Sequence, residues 1–299
     1  MSQYQRLLLI ADPGMRQSPA LQRAVALVEA CGGSLHIAAI SGPFATLWLL
    51  DKSTEAQVRE DFLRQQQAHL KAEVDRLSAK GIAVTSEAVW TDTPIEEILR
   101  HIHHAQADLI IKDTRHEPIL QRAFITPLDW RLLRECPVPL HFVSAAEHPL
   151  PRRIVAAVDL SQAENRVSDM NERILAAASE LALQCNAELH LLHVYEQSPA
   201  YLAYAAAPVS WTPEFLEELT SLMHTTFDQF AEQHAVPPQR RHVVQGSPIR
   251  VISDFATREH MDAVVMGTLD RKGLEKVLGS TTEQTLYQIP SSILVIRPV

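Results

Sequence analysis

Residues able to hold a phosphate gather near the end of the chain. Between Asp262 and Pro298 the glycines Gly267, Gly273 and Gly279 punctuate an apolar and helical pattern, and Gly279 runs straight into Ser280, Thr281, Thr282 and Glu283. Hydroxyl residues followed by an acid open helices. The first N–H groups of such a helix lack partners, and glycine lets a ligand approach the backbone, so the combination suits a phosphate. By spacing alone the same residues make a tight loop with a good cap, and at this point that plainer reading is the expectation. His101, His103 and His104 raise the question of a metal. Residues 101 and 104 share a helix face, but no acid or thiol partner is evident, so a solvated surface is expected and no metal ligand is assigned. His190 and His193 lie three apart on a strand-like run, which sends them to opposite faces, so shared ligation of an ion is not expected. Asp228, Glu232 and His234 read as helix surface. No Ser-His-Asp or Cys-His set stands at the strand ends, and no catalytic residue is assigned.

The elements that must position these residues follow from hydrophobic periodicity. Leu7–Ala11 is a short apolar run ending at Asp12, the pattern of a strand buried on both faces. A helix opens at Ser18-Pro19 and stops at Gly32-Gly33. Leu35–Ile40 is a second strand, residues 53–80 a long polar helix, Ile82–Val89 a third strand, Thr93-Pro94 a helix start and Leu109–Ile111 a fourth strand. A short helix beyond Thr126-Pro127 and a strand over Val138–Val143 complete an alternation that indicates an α/β fold with a parallel sheet.

The pattern then restarts. Ser144–Pro151 reads as a linker, and Ile154–Val158 ends at Asp159 as the first strand ended at Asp12. Asp159 follows Asp12 by 147 residues, Pro248 follows Pro94 by 154, and Asp262 follows Asp108 by 154. A steady offset past the middle of the repeat indicates internal duplication, with repeat 1 over 1–145 and repeat 2 over 152–299.

Composition limits the partners. With 299 residues, 46% hydrophobic and 21% charged, the chain has the balance of a soluble globular protein of two domains. A formal charge of −9 leaves no electrostatic footprint for nucleic acid. The 3 cysteines, Cys31, Cys136 and Cys185, are widely spaced and are expected as buried thiols of a reducing compartment. The most apolar window, Leu35–Leu50, is broken by His36, Gly42 and Pro43 and is too short to span a bilayer. The chain opens directly into a strand, and a cytoplasmic location is the expectation. Two apolar segments after the second strand of each repeat, Gly42–Leu50 and Tyr201–Trp211, read as covers over a core or a ligand cleft.

Taken together, the strand-ending aspartates, the Thr/Ser-Pro-Ile helix starts, the run Phe124–Pro137 and the run Leu278–Gln284 resemble the universal stress protein family, in its tandem E subgroup. The resemblance covers both halves. It implies in each half an open five-stranded parallel sheet of order 3-2-1-4-5, with ligand at the carboxyl ends of strands 1 and 4. In repeat 2 it implies a nucleotide site in which Asp159 holds adenine or ribose, the backbone at Val194 meets the base, and Gly267, Gly273, Gly279, Ser280 and Thr281 hold the phosphates. ATP is the implied ligand, with Mg2+ beside it. The implied function is a stress-response regulatory module that binds rather than turns over its nucleotide. A slow ATPase using the same loop is one alternative. A scaffold, or a binder of an apolar metabolite through repeat 1, is another. Members of the family dimerise through strand 5, so Val138–Val143 and Ser292–Ile296 are expected to pair within the chain as a pseudo-dimer, with a homodimer as a further expectation.

The sequence departs from the family loop G-x-x-G-x9-G-[ST]. Asp270 stands where the second glycine belongs, and Gly279 arrives one residue early. A carboxylate there repels a triphosphate by on the order of 1 kcal/mol, which Arg271 and Lys272 offset in part. In repeat 1 Asp113 replaces Gly267, Thr126 replaces Gly279, and Pro127 replaces Ser280 and has no N–H to give. Asp129 adds negative charge at the same helix start, so no triphosphate is expected in repeat 1.

Overall fold

The computed structural model of the protein describes residues 4–12, 18–42, 51–114, 128–144, 148–160, 165–196, 212–268, 289 and 291–298. The chain divides into two compact units, Met1–Leu150 and Pro151–Val299.

In the first unit β1 (Arg6–Ala11), β2 (Ser34–Ser41), β3 (Ala83–Trp90), β4 (Leu109–Asp113) and β5 (Leu140–Val143) form a parallel sheet of order β3-β2-β1-β4-β5. In the second, β6 (Arg153–Val158), β7 (Glu188–Tyr195), β8 (Arg241–Gln245), β9 (Ala263–Gly267) and β10 (Ser292–Ile296) take the order β10-β9-β6-β7-β8. Both orders reverse at the first strand, as 3-2-1-4-5 requires. The central strands are apolar on both faces because helices cover both: Leu7, Leu8, Leu9 and Ile10 are buried, as are Ala263, Val264, Val265 and Met266.

Local chemistry sets the helix limits. In α1 (Pro19–Cys31) the Ser18 hydroxyl accepts from Leu21 N at 3.0 Å, and Gly32 ends the helix in the left-handed region at φ +68. Asp51 caps the 27-residue α2 (Lys52–Ser78) by accepting from Ser53 N and Thr54 N. At α3 (Pro94–Ala105) the expected cap is made differently. Thr93 gives no side-chain cap bond; its hydroxyl lies 3.3 Å from the Thr91 hydroxyl, which also accepts from Thr93 N at 3.0 Å. Among the described residues the remaining helices are α4 (Leu128–Glu135), α5 (Asn165–Cys185), α6 (Pro213–Gln233) and α7 (Pro248–Arg258), with one 3-10 turn at Pro238–Arg240. No helix among the described residues is long and apolar enough to cross a membrane.

One expectation changes in detail. Cys136 is buried, but Cys31 and Cys185 are only half-buried, since each is the last residue of its helix; all three are free thiols. Along α2, Leu70 and Leu77 are buried while Phe62 is only half-buried. Phe62 lies over a cavity instead of a filled core.

Candidate functional site

In repeat 2, β6 pairs with β7 on one side and β9 on the other, so its carboxyl end is the switch point of the sheet. Asp159 directly follows β6. Val194 lies one residue from the end of β7, where it pairs with Val244, and Gly267 closes β9. Three of the seven expected nucleotide-site residues thus sit on neighbouring strands at one end of the sheet. Gly273, Gly279, Ser280 and Thr281, and with them Asp270, lie outside the described residues.

Asp159 is held by a residue that periodicity gave no reason to single out. Asn171, 2% exposed on α5, accepts from Asp159 N at 2.9 Å and donates through Nδ2 to Asp159 O at 2.6 Å. The signal was a lone amide on the face of α5 that carries Met170, Ile174 and Ala178. Beneath Asp159, His193 is fully buried, with Nδ1 3.2 Å from Val158 O and 3.4 Å from Leu160 N. Its ring lies near-parallel to those of Tyr195 and Phe227, with centroids 6.5 Å and 6.3 Å away. Burial lowers the His193 pKa more than the Val158 carbonyl and Asp159 raise it, which keeps the imidazole neutral. His190 faces the other side of the sheet, against His242, which in turn meets Phe255 of α7. The two histidines are on opposite faces, as their spacing requires.

Gly267 has a packing role visible without any ligand. A Cβ there would come within 2.7 Å of Met170 Cγ and Sδ and 3.0 Å of Ile174 Cδ1. Glycine at the end of β9 lets α5 lie close on the sheet.

Repeat 1 fills the same positions with charge. Asp113, the counterpart of Gly267 at the end of β4, accepts from Ala20 N at 2.9 Å and bonds Ser18, so its carboxylate sits on the first turn of α1. Burial raises its pKa, opposed by the Ser18 and Ala20 bonds. Next to it Lys112 makes a buried ion pair with Asp129 at 2.7 Å and donates to Asp113 O at 3.1 Å. The negative charge expected at the α4 start is therefore neutralised inside the protein. Thr126 and Pro127 lie outside the described residues.

Repeat 1 also contains a cavity of about 590 Å³ between the β1–β2 face and α2. Leu9, Ile37 and Leu70 give it an apolar floor, with Gln66 and His69 on its helix side and Asp12 at the strand end. Ala39 and Glu73 also line it. The residues 154 positions later are His193 and Phe227, whose rings stack 6.3 Å apart in repeat 2. Two rings stand there where repeat 1 has an alanine and a half-buried glutamate.

Residues 3–144 and 151–297 each match the universal stress protein family. The chain belongs to that family. Over its full length it is similar to Universal stress protein E of Escherichia coli K12, at 30% identity across 307 residues covering 100% of this chain and 95% of that protein. The Universal stress protein E homolog of Haemophilus influenzae is 25% identical over 303 residues, covering 99% and 98%. Among solved structures, a Pseudomonas aeruginosa PAO1 protein superposes with a TM-score of 0.76 at 22% identity, covering 98% of this chain and 92% of that one. A universal stress protein from Archaeoglobus fulgidus gives 0.66 at 15% identity, covering 98% of each chain. At these identities the structural likeness shows the fold, and the two family matches show that a universal stress domain occurs twice.

Proposed function

We propose that this tandem universal stress protein is a ligand-binding regulatory module whose repeat 2 takes an adenine nucleotide, ATP with Mg2+, while repeat 1 does not. The observation that carries the reading is the difference at one position: the switch point ends in Gly267 in repeat 2 and in Asp113 in repeat 1, where the carboxylate already occupies the α1 N-terminus. In this reading the nucleoside end rests on Asp159 and the Val194 backbone, which lie on neighbouring strands at one end of the sheet. The phosphate end rests on Gly273, Gly279, Ser280 and Thr281. The readout is binding or conformation, with slow hydrolysis as the outcome that calorimetry alone does not separate. In this reading the protein works in the cytoplasm, and its two repeats pair with one another.

A second reading concerns repeat 1. Its cavity, with an apolar floor and a polar rim, suits a small apolar metabolite. Native mass spectrometry of the purified protein addresses both readings. Retained ATP or ADP supports the first, an apolar ligand supports the second, and neither would be supported by a ligand-free protein that also fails to bind added ATP. Calorimetry with ATP then locates the site: Asp159→Ala is expected to weaken binding and Asp12→Ala to leave it unchanged. Equal losses would refute the asymmetry between repeats.

A further inference from the structure

His101 is not on a solvated helix surface. It is fully buried under β2 and β3, while His104 three residues on is exposed. In that position His101 meets two groups far from it in sequence. His36 Nε2 on β2 lies 3.0 Å from His101 Nδ1, and Glu87 Oε2 on β3 lies 3.8 Å from the same nitrogen. One donor atom from each of the three falls within 4.8 Å of the others. We propose that His36, Glu87 and His101 form a binding site for a borderline divalent cation of the zinc class, with the fourth coordination position open to water.

The geometry suits that ion. Tetrahedral zinc with bonds of about 2.0–2.2 Å keeps its donors roughly 3.3 Å apart, so small side-chain rotations close the set. Two imidazoles and a carboxylate are ligands such cations accept. The outer nitrogen of each ring is already held as metal-bound histidines require. His36 Nδ1 is 2.8 Å from Thr85 Oγ1, and His101 Nε2 is 3.3 Å from Glu97 Oε1. Arg100 fixes both carboxylates, with Nη2 3.1 Å from Glu87 Oε1 and Nε 2.9 Å from Glu97 Oε1. Two carboxylates and one guanidinium leave the cluster one negative charge, which a cation offsets. Glu87 is exposed, so an ion and a water can enter from its side.

Metal entry needs no net loss of a proton. Each neutral ring carries one N–H, and one of these lies between the facing nitrogens in the pair. With His36 protonated at Nδ1 and His101 at Nε2, the Thr85 hydroxyl accepts from one ring, Glu97 accepts from the other, and both facing lone pairs are free. Burial favours the neutral rings: it is the largest cause lowering His36 to about 4, and it also lowers His101.

Repeat 2 supplies an internal contrast. The residues 154 positions after His36 and His101 are His190 and Phe255. Register makes His242 the counterpart of Glu87, since Ala38 pairs with Glu87 and Leu192 with His242. There His190 Nδ1 meets His242 Nε2 at 3.1 Å, but the acid, Glu188, approaches the other ring nitrogen of His190 at 3.7 Å. The three donors do not converge.

The test uses the full-length protein stripped by a chelator and titrated with ZnCl2 by calorimetry and thermal melting. One site is expected, with a saturable rise in Tm. Glu87→Gln, a change at an exposed side chain, should weaken it about tenfold or more. His101→Phe, which copies repeat 2, should abolish it, and His104→Ala and His190→Ala should leave it unchanged. Absence of zinc binding to the wild type, or equal binding by wild type, Glu87→Gln and His101→Phe, overturns the proposal. The cluster would then be a hydrogen-bonded imidazole pair, with any zinc held by surface histidines.

Discussion

The side chain of Asn171 holds the backbone of Asp159 from both sides, accepting from its N–H and donating to its carbonyl. The turn that leaves β6 is therefore fixed by α5, and the direction of the Asp159 carboxylate is set by an amide twelve residues away. Removing the amide leaves a buried N–H and carbonyl without these partners, a loss of about 1–3 kcal/mol. Asn171→Ala is expected to lower the unfolding free energy read from urea titration by that amount and to weaken ATP binding while the far-UV circular dichroism stays native. Wild-type affinity in a destabilised Asn171→Ala protein would show that Asp159 needs no positioning for nucleotide.

Asp270 tests the phosphate end of the repeat 2 site. Asp270→Gly restores the family glycine and removes a charge, so it is expected to tighten ATP more than AMP, because only ATP extends its charge along the loop. The gain should shrink at high salt, where screening shortens the reach of the charge. Gly279→Pro should act in the opposite sense by removing an N–H. Calorimetry with both nucleotides at two salt concentrations measures this; an unchanged ATP/AMP ratio in Asp270→Gly means that the loop holds no phosphate.

The Lys112–Asp129 pair lies buried at the repeat 1 switch point, 2.7 Å apart with side chains 4% and 1% exposed. Asp129→Asn leaves a buried ammonium without its counter-charge and is expected to cost about 3–5 kcal/mol in urea unfolding. Lys112→Met with Asp129→Leu removes both charges and should cost much less. Equal losses in the single and double variants would argue that packing around Asp129, not charge pairing, is what matters.

Acid should weaken the second unit through its buried histidines. His190 is lowered to about 4 by burial first and by Arg153 next, and burial also lowers His193 and His242. A lowered histidine pKa means that the unfolded chain binds the proton first. Its stabilising contribution is complete above the unfolded value of about 6.5 and is lost as pH falls from there towards about 4. Urea midpoints between those limits should fall steadily, and His190→Leu should flatten the slope. An unchanged slope would place the acid sensitivity elsewhere.

The sequence by itself determined the duplicated α/β architecture. Runs such as Leu7–Ile10 and Ala263–Met266 are short and apolar at every position, as a strand covered on both faces requires, and Ser18-Pro19 and Gly32 mark helix ends by backbone chemistry alone. These are local signals, read within a few residues. It also placed His190 and His193 on opposite faces, since a strand alternates with a period of two. Tertiary structure decided what depends on distant residues meeting. His101 read as surface because the partners that bury it, His36 and Glu87, arrive from β2 and β3 through the strand pairing. Asn171 read as one more helix residue until α5 laid it against the end of β6. The cavity of repeat 1 was equally hidden, since its lining comes from β1, β2 and α2, which are far apart in sequence. Each of these depends on the spacing of packed layers, a property no single segment contains.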